Sequence, residues 1–194
     1  MLFEVPFHKY KVRDWYCWRS RILSELKGGK VLPNRTEGSD STMDCLESDY
    51  HVNQGELPPY FELVAECLKP ILLDFQDRSS FPVVINNMWY QTTQKGQMHG
   101  VHNHGGIGIS AVFYVNFDSS CHRGTTFFAP FPNYLDGSVL EHTPDVVEGD
   151  VVFFPSFLHH QQGLNFSEKE RTIIAFNIDG SRPKPSTSRG KITN

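Results

Sequence analysis

Three histidines lie close together in the chain, at His99, His102 and His104. His102 and His104 are two positions apart, and side chains at that spacing on a strand project from one face, with Cβ atoms roughly 6–7 Å apart. Two imidazoles so placed can bind one metal ion, because metal–nitrogen bonds are about 2.0–2.2 Å long. The simpler interpretation is two surface histidines, but the pair leads into an apolar, strand-like run, Ile109–Phe117. We therefore predict a metal site whose third ligand comes from elsewhere in the chain.

A second histidine pair, His159-His160, follows the apolar run Val151–Phe154 and then Pro155-Ser156. Consecutive residues of a strand point to opposite faces, so only one histidine of this pair should face a metal. A buried strand that ends here in a β-barrel brings its last residues to the barrel mouth, where a site can contact both the interior and solvent. This pair is therefore the candidate source of the third ligand.

Arg171 lies eleven residues after His160, at the start of an apolar strand-like run, Thr172–Ile178. A buried arginine is costly unless an anion meets its charge, and its planar guanidinium suits a carboxylate bound through two hydrogen bonds. The alternative is a surface position, in which Arg171 pairs with Glu168 or Glu170. The residue types alone leave both interpretations open.

Two helices are expected before the strand-rich part of the chain. In the first, Val12–Leu26, apolar side chains recur at helical spacing, and Gly28-Gly29 ends the helix. The second is expected over about Tyr60–Phe75, and Pro70 should kink or divide it.

The rest of the chain consists of short predicted strands separated by Gly, Pro, Asn and Asp. The predicted strands are Phe81–Ile85, Met88–Thr93, Ile109–Phe117, Thr125–Phe128, Ser138–Leu140, Val151–Phe154 and Thr172–Ile178. Many short strands at this spacing are typical of an antiparallel sandwich or barrel. We predict a mainly β fold, a double-stranded β-helix (jelly roll) with the N-terminal helices packed on one outer face. Residues 1–180 are assigned to a single domain, and the basic residues 181–194 to a mobile tail.

The composition limits the classes of function. The formal net charge of −4 argues against a general nucleic-acid-binding protein. No apolar run approaches about 18 residues, so neither a membrane span nor an export signal is expected. The four cysteines are scattered without a C-x-x-C pair, which indicates reduced thiols and a cytoplasmic location.

Four motifs occur in order: H-x-H at 102–104, S-x-V-x-Y-V at 110–115, E-G-D-x-x-x-F-P-S-x-x-x-H at 148–160 and R-x-I-x-x-F-N at 171–177. In this order they resemble the 2-oxoglutarate- and Fe(II)-dependent oxygenases, and more closely the prolyl-4-hydroxylase-like oxygenases found in marine phages and bacteria. The resemblance runs from about Thr42 to Ile178 and includes the aromatic segment Asn87–Tyr90. It implies Fe(II), 2-oxoglutarate and O₂ as cofactor and cosubstrates, in the cytoplasm (of the host if the protein is phage-encoded).

The resemblance also implies roles for individual histidines. His102 matches the first iron ligand, His104 stands where a carboxylate usually does, and His160 matches the distal histidine. An all-histidine site is one unit more positive than the commoner set of two histidines and one carboxylate, which changes metal affinity and redox behaviour. The oxygenases that this chain resembles most also show H-x-H, so we predict that the metal is retained. His99 and His159 remain alternative ligands, although the spacing to the next motif favours His160 over His159.

For the cosubstrate, the resemblance implies that Arg171 binds the distal carboxylate of 2-oxoglutarate, with the hydroxyls of Tyr114 and Ser110 as further contacts. The implied reaction is oxidative decarboxylation of 2-oxoglutarate to succinate and CO₂, coupled to hydroxylation of a C–H bond of a substrate. We expect the substrate to be a small molecule or a peptide, selected by residues 32–55 and Phe131–His142.

Two alternatives use the same barrel differently. Gly96 with the H-x-H pair, and Gly149 with His160, match parts of the two cupin motifs. The glutamate of the first cupin motif is absent, since Gly108 and Ile109 occupy its positions. This alternative is a three-histidine metalloenzyme that does not use 2-oxoglutarate. The other alternative is a non-catalytic jelly-roll binding module whose histidines hold no metal.

Overall fold

The computed structural model describes residues 5–27, 46–53, 56–79, 82–179 and 190–191. Within these ranges the chain forms two helices, α1 (Trp15–Lys27) and α2 (Phe61–Ser79). The strands are β1 (His8–Lys11), β2 (Glu47–Ser48), β3 (Val84–Thr93), β4 (His99–His102), β5 (Ile109–Asn116), β6 (Thr126–Phe128), β7 (Glu141–His142), β8 (Asp150–Pro155), β9 (His160–Gln162), β10 (Arg171–Ile178) and β11 (Gly190–Lys191). Most of the loop expected at 32–55 and of the tail expected at 181–194 lies outside the described residues.

The strands form two antiparallel sheets. The larger sheet has the order β1-β8-β5-β10-β3-β11, with β2 also paired to β3, and the smaller sheet has the order β4-β9-β6-β7. Side chains from the two sheets pack in one apolar cluster, with Val112, Phe154 and Ile173 from the larger sheet and Phe127 from the smaller. The two packed sheets confirm the predicted jelly roll.

Both helices pack on the outer face of the larger sheet, as predicted. Trp15 of α1 lies edge-to-face against Phe113 of β5, with ring centroids 5.0 Å apart. Phe75 of α2 stacks on Phe153 of β8 at 4.6 Å. Neighbouring residues along these strands point to the opposite face, toward the smaller sheet. Because both faces are covered, the middle positions of β5, β8 and β10 are apolar.

The E-G-D turn before β8 holds α1 against the sheet. Glu148 accepts hydrogen bonds from the indole of Trp15 (3.1 Å), the guanidinium of Arg19 (2.9 Å) and the backbone N–H of Phe117 (3.2 Å). Gly149 has φ of +88°, and a Cβ atom at this position would lie 2.8 Å from Cγ of Trp15. This part of the 148–160 motif therefore contributes to the fold.

A Gly149→Ala variant should be less stable by about 2–4 kcal/mol, because left-handed backbone strain and displacement of Trp15 add together. Urea denaturation measures the change in the free energy of unfolding. Gly137→Ala is the matched control, since Gly137 has φ of +72° and no heavy atom within 4 Å of the added Cβ. If the free energy of unfolding falls no more in Gly149→Ala than in Gly137→Ala, the close packing of Trp15 against Gly149 is contradicted.

Neither the predicted break between two strands nor the predicted division of the second helix occurs. The strands expected at Phe81–Ile85 and Met88–Thr93 are joined in β3, because a register shift opposite Asn177 and Ile178 accommodates the residues between them. The helix α2 continues through Pro70, which is exposed, so the carbonyl that loses its helical hydrogen bond can bind water.

The strand predicted at Ser138–Leu140 is wrong. The segment folds as a turn in which Oδ1 of Asp136 accepts hydrogen bonds from the backbone N–H of Ser138 (2.9 Å) and from its hydroxyl (2.7 Å). Strand pairing with β6 begins only at Glu141. The apolar side chains of this segment are not buried, since Val139 is 48% and Leu140 is 69% exposed.

The described cysteines Cys17, Cys67 and Cys121 are free thiols, and Cys45 lies outside the described residues. Neither described helix combines the length and the apolar character that crossing a membrane requires.

Candidate metal centre

Three histidines converge where β4 and β9 pair. His102 ends β4, His160 begins β9, and the two residues are directly opposed in the ladder. His104 lies two residues beyond β4, where its backbone N–H donates to the carbonyl of Ser156 at 2.8 Å. Each histidine offers one ring nitrogen, and these nitrogens all lie within 4.8 Å of one another. Three nitrogens at such separations can coordinate a single metal ion.

Hydrogen bonds determine which ring nitrogen of each histidine is free. Nδ1 of His102 and Nδ1 of His160 each donate to the backbone carbonyl two residues earlier, at 2.8 and 2.9 Å. Nδ1 of His104 donates to Oδ1 of Asn177 at 2.8 Å. Each Nε2 therefore keeps its lone pair, and Nε2 of His102 lies 3.4 Å from Nε2 of His104. A cation between them removes the repulsion between two facing lone pairs, so these residues fit a metal site.

The three rings are uncharged at neutral pH. Burial lowers the pKa of His160 to about 2 and that of His104 to about 4, and it also lowers the pKa of His102. Neutral imidazoles can donate their lone pairs to a metal without first losing a proton. Among the described residues, no aspartate or glutamate lines either cavity that the candidate ligands line, so a divalent ion would keep its full charge here.

The two alternative ligands are placed differently. The ring of His99 stacks on that of His102, with centroids 3.9 Å apart, and burial lowers the pKa of His99 to about 3. His159 is exposed, and its Nε2 accepts a hydrogen bond from Asn103 at 3.2 Å. Alternation along the strand turns His160 inward and His159 outward. His99 thus packs against the group of three histidines and is not one of its members.

Arg171 is buried, with 2% of its surface exposed, at the first position of β10. Its Nη1 donates to Oε1 of Gln162, while Nε and Nη2 have no hydrogen-bond partner in the described part of the chain. The surface alternative is excluded, because the side chains of Glu168 and Glu170 contact the turn between β3 and β4 instead.

Arg171 remains cationic, since burial lowers its pKa only to about 10. Its guanidinium carbon lies 5.5 Å from the ring centroid of Tyr114 and 5.7 Å from that of Phe117. Such cation–π contacts are worth roughly 0.5–2 kcal/mol each, whereas an unpaired buried charge costs several kcal/mol. The guanidinium therefore fits an anionic ligand that reaches Nε and Nη2.

A narrow cavity joins this guanidinium to the histidines. It is lined by Trp89, Gln91, His99, His102, His104, Val112, Thr125, His160, Gln162, Arg171, Ile173 and Ala175. The cavity thus combines one cation, the three candidate metal ligands and apolar side chains of the larger sheet. The cavity has a volume of about 20 Å³, which is room for about one water molecule. Its polar groups are partners for a carboxylate and for further oxygen donors, and the cavity must widen to admit a ligand that carries both.

The hydroxyls of Tyr114 and Ser110, predicted to contact a cosubstrate, do not line this cavity. The hydroxyl of Tyr114 donates to Oγ1 of Thr125 at 3.1 Å and accepts the backbone N–H of Thr125 at 3.1 Å. Ser110 donates to Oδ1 of Asn177 at 2.7 Å and so supports the amide that orients His104. Thr125 is the hydroxyl residue that lines the cavity, while Tyr114 contacts the guanidinium through its ring.

Three residues of the site had no role assigned from the sequence: Gln162, Thr125 and Asn177. Gln162 lies two positions after His160, which places both side chains on one face of β9. Asn177 ends the R-x-I-x-x-F-N motif and opposes Ser110 across the β5–β10 pair. These spacings are the signals from which both could have been found; Thr125 has no comparable signal.

A wider cavity of about 340 Å³ opens beside the candidate ligands. It is lined by Tyr50, Asn87, Trp89, Gln91, His99, His102, Asn103, His104 and Asn177. Asn87, Trp89 and Gln91 alternate along β3 and so project from one face. As far as the structure describes the chain, the lining contains amides, aromatic rings and histidines and no lysine, arginine or carboxylate. This cavity suits a neutral molecule that forms hydrogen bonds.

Residues 87–177 match the family model for 2OG-Fe(II) oxygenases. The matched segment contains the three candidate ligands and Arg171. No curated protein matches the chain by sequence.

Solved structures share the fold. A prolyl-4-hydroxylase from Pseudomonas putida is 13% identical with a TM-score of 0.61, over 91% of this chain and 94% of that one. HygX from Streptomyces hygroscopicus, with nickel, 2-oxoglutarate and hygromycin B bound, is 14% identical with a TM-score of 0.64, over 91% and 84%. A prolyl hydroxylase from Trichoplax adhaerens, in complex with a hypoxia inducible factor peptide, is 12% identical with a TM-score of 0.59, over 90% and 83%. At these identities the likeness shows the fold alone.

Proposed function

We propose that the chain is a 2OG-Fe(II) oxygenase with a prolyl-4-hydroxylase-like fold, in which His102, His104 and His160 bind Fe(II) and Arg171 binds 2-oxoglutarate. The observation that carries this proposal is a single cavity lined by three imidazoles with free lone pairs and by a buried guanidinium that contacts no anion among the described residues. The family depends on Fe(II), 2-oxoglutarate and O₂. 2-Oxoglutarate has one carboxylate for Arg171 and a 2-oxo acid group whose oxygens can bind a metal.

When bound, the iron supplies O₂-dependent decarboxylation of 2-oxoglutarate to succinate and CO₂, coupled to hydroxylation of a substrate C–H bond. The residues of this chain provide position and environment. Three protein ligands leave further coordination positions free for exogenous ligands. Arg171 would hold the distal carboxylate beside apolar side chains such as Val112 and Ile173, where attraction between opposite charges is stronger than in water.

The all-histidine ligand set affects the charge of the site. Burial keeps the three rings neutral, and the partners of Nδ1 are uncharged carbonyl and amide oxygens, so these three residues supply no anionic ligand. The carboxylate beside the 2-oxo group would then be the anionic ligand that the protein does not provide. Cosubstrate binding should therefore stabilise bound iron more than in a site that already contains a carboxylate.

The substrate would enter through the wider cavity. The residues that line both this cavity and the narrow one are Trp89, Gln91, His99, His102 and His104. We infer a small molecule or a peptide segment that carries no carboxylate or phosphate near the reacting carbon, because among the described residues no cationic side chain lines this space. Asn87 and Asn103 offer amides for hydrogen bonds, and Trp89 offers an apolar ring. The cupin-type and non-catalytic alternatives give no reason for the buried charge of Arg171.

Succinate should form from 2-oxoglutarate only when Fe(II), 2-oxoglutarate and O₂ are all present, and EDTA should stop the reaction. Slow turnover without the hydroxylation substrate is sufficient, and chromatographic quantification of succinate measures it. Binding of stoichiometric iron without any succinate formation would instead support a three-histidine enzyme that does not use 2-oxoglutarate.

A further inference from the structure

Gln162 contacts the guanidinium inside the narrow cavity. It lies at the end of β9, is 6% exposed and follows the candidate ligand His160 by two positions. Its Oε1 accepts a hydrogen bond from Nη1 of Arg171, and its Nε2 donates to Oγ1 of Thr93 at 2.6 Å. Both ends of the amide are therefore engaged, which fixes the oxygen toward Arg171 and the nitrogen toward Thr93.

Thr93 is a rigid support for this amide. Its side chain is fully buried at the end of β3, directly opposite Arg171 in the β3–β10 ladder. Its backbone carbonyl also accepts a hydrogen bond from Nδ2 of Asn165 at 3.1 Å. Gln162 is thus anchored to the strand that pairs with Arg171, so the amide and the guanidinium keep a defined relative position.

The consequence concerns the free edge of the guanidinium. Nη1 of Arg171 donates its hydrogen bond to Gln162. The nitrogens of Arg171 without a partner in the described chain are Nε and Nη2. These two N–H groups are parallel along one edge and match the two oxygens of a carboxylate. The ring of Tyr114, 5.5 Å away, restricts the same group from a second side.

We propose that Gln162, anchored by Thr93, is a positioning residue that presents the Nε–Nη2 edge of Arg171 to the distal carboxylate of 2-oxoglutarate. This inference rests on the proposed function. A neutral amide suits the role, because a carboxylate at this position would pair with Arg171 and compete with the cosubstrate. An apolar side chain would leave Nη1 unpaired and the guanidinium less constrained.

The test uses Gln162→Glu and Gln162→Leu, with Gln161→Glu as the matched control, since Gln161 is the neighbouring residue on the other face of β9. Calorimetry of Fe(II)-loaded protein without oxygen gives Kd for 2-oxoglutarate and for pyruvate, which lacks the distal carboxylate. For 2-oxoglutarate, Kd should rise roughly 10–100-fold in Gln162→Glu and roughly 3–10-fold in Gln162→Leu. Iron binding, pyruvate binding and the control should not change.

Each other outcome contradicts the inference in a different way. Wild-type affinity for 2-oxoglutarate in both variants would show that Gln162 does not position Arg171 and would leave the proposed function intact. Equal losses for 2-oxoglutarate and pyruvate would show a general structural role. Absence of 2-oxoglutarate binding by the wild-type protein would overturn the proposed function, and this inference with it. Circular dichroism shows whether each variant is folded. If Gln162→Glu does not fold, the Kd values of Gln162→Leu alone test the inference.

Discussion

A His104→Ala variant should lose Fe(II) binding, with Kd raised by more than the roughly 10–100-fold that loss of a second-sphere partner causes. Nδ1 of His104 is held by Asn177, and its Nε2 faces Nε2 of His102 at 3.4 Å. Removing this ring leaves two imidazoles, which is a weak site for a divalent ion. Equilibrium dialysis with iron quantification measures the change.

His159→Ala is the matched control, because His159 is exposed and next in sequence to the ligand candidate His160. Its iron affinity should equal that of the wild-type protein. Full iron binding in His104→Ala would contradict the ligand assignment and would point to His99, whose ring stacks on His102.

An Arg171→Leu variant should bind 2-oxoglutarate at least roughly 100-fold more weakly, since a charge-assisted, two-point contact in a buried site is lost. Its iron affinity should not change, because the guanidinium does not belong to the group of histidine nitrogens. The fold should persist, since removing an unpaired buried cation offsets the loss of the hydrogen bond to Gln162. Calorimetric titration of iron-loaded protein without oxygen measures the affinity.

Arg123→Leu is the control for this second variant, because Arg123 is exposed and does not line the cavity. It should bind 2-oxoglutarate as the wild-type protein does. Unchanged affinity in Arg171→Leu would show that the cosubstrate carboxylate binds elsewhere, and the unpaired charge of Arg171 would need another ligand.

The structure brings together the histidines that were predicted from the sequence, but their hydrogen-bond partners could not be predicted. The two-residue spacing of His102 and His104 and the alternation at His159-His160 follow directly from strand geometry. The order of the four motifs led to the prediction that Arg171 belongs to the same site as the histidines. Gln162 acts through hydrogen bonds to residues distant in the chain, and no spacing rule shows that its amide reaches Thr93.

The hydrogen-bond partners of the Tyr114 and Ser110 hydroxyls likewise could not be predicted from local sequence. Tyr114 and Ser110 lie on β5 and are both buried, so their residue types suited the cavity. The register between β5 and β10 instead pairs Ser110 with Asn177, and Thr125 binds the hydroxyl of Tyr114. Cross-strand register depends on the whole sheet, which local patterns do not specify.

The fold class was predictable because apolar strands and amphipathic helices are properties of local sequence. The strand at Ser138–Leu140 was wrongly predicted because two adjacent apolar residues do not reveal whether a partner strand is present. The joined strand β3 was missed because a register shift can accommodate extra residues that look like a break in the pattern.

Anaerobic titration of the Fe(II)-loaded protein with 2-oxoglutarate is the most direct test of a shared iron and cosubstrate site. A 2-oxo acid bound to Fe(II) through two oxygens gives a weak visible charge-transfer absorption band. We predict that this band appears and saturates at one equivalent of 2-oxoglutarate per iron. Stoichiometric iron with no band at saturating 2-oxoglutarate would contradict the account, because the cosubstrate would then not reach the metal that the three histidines bind.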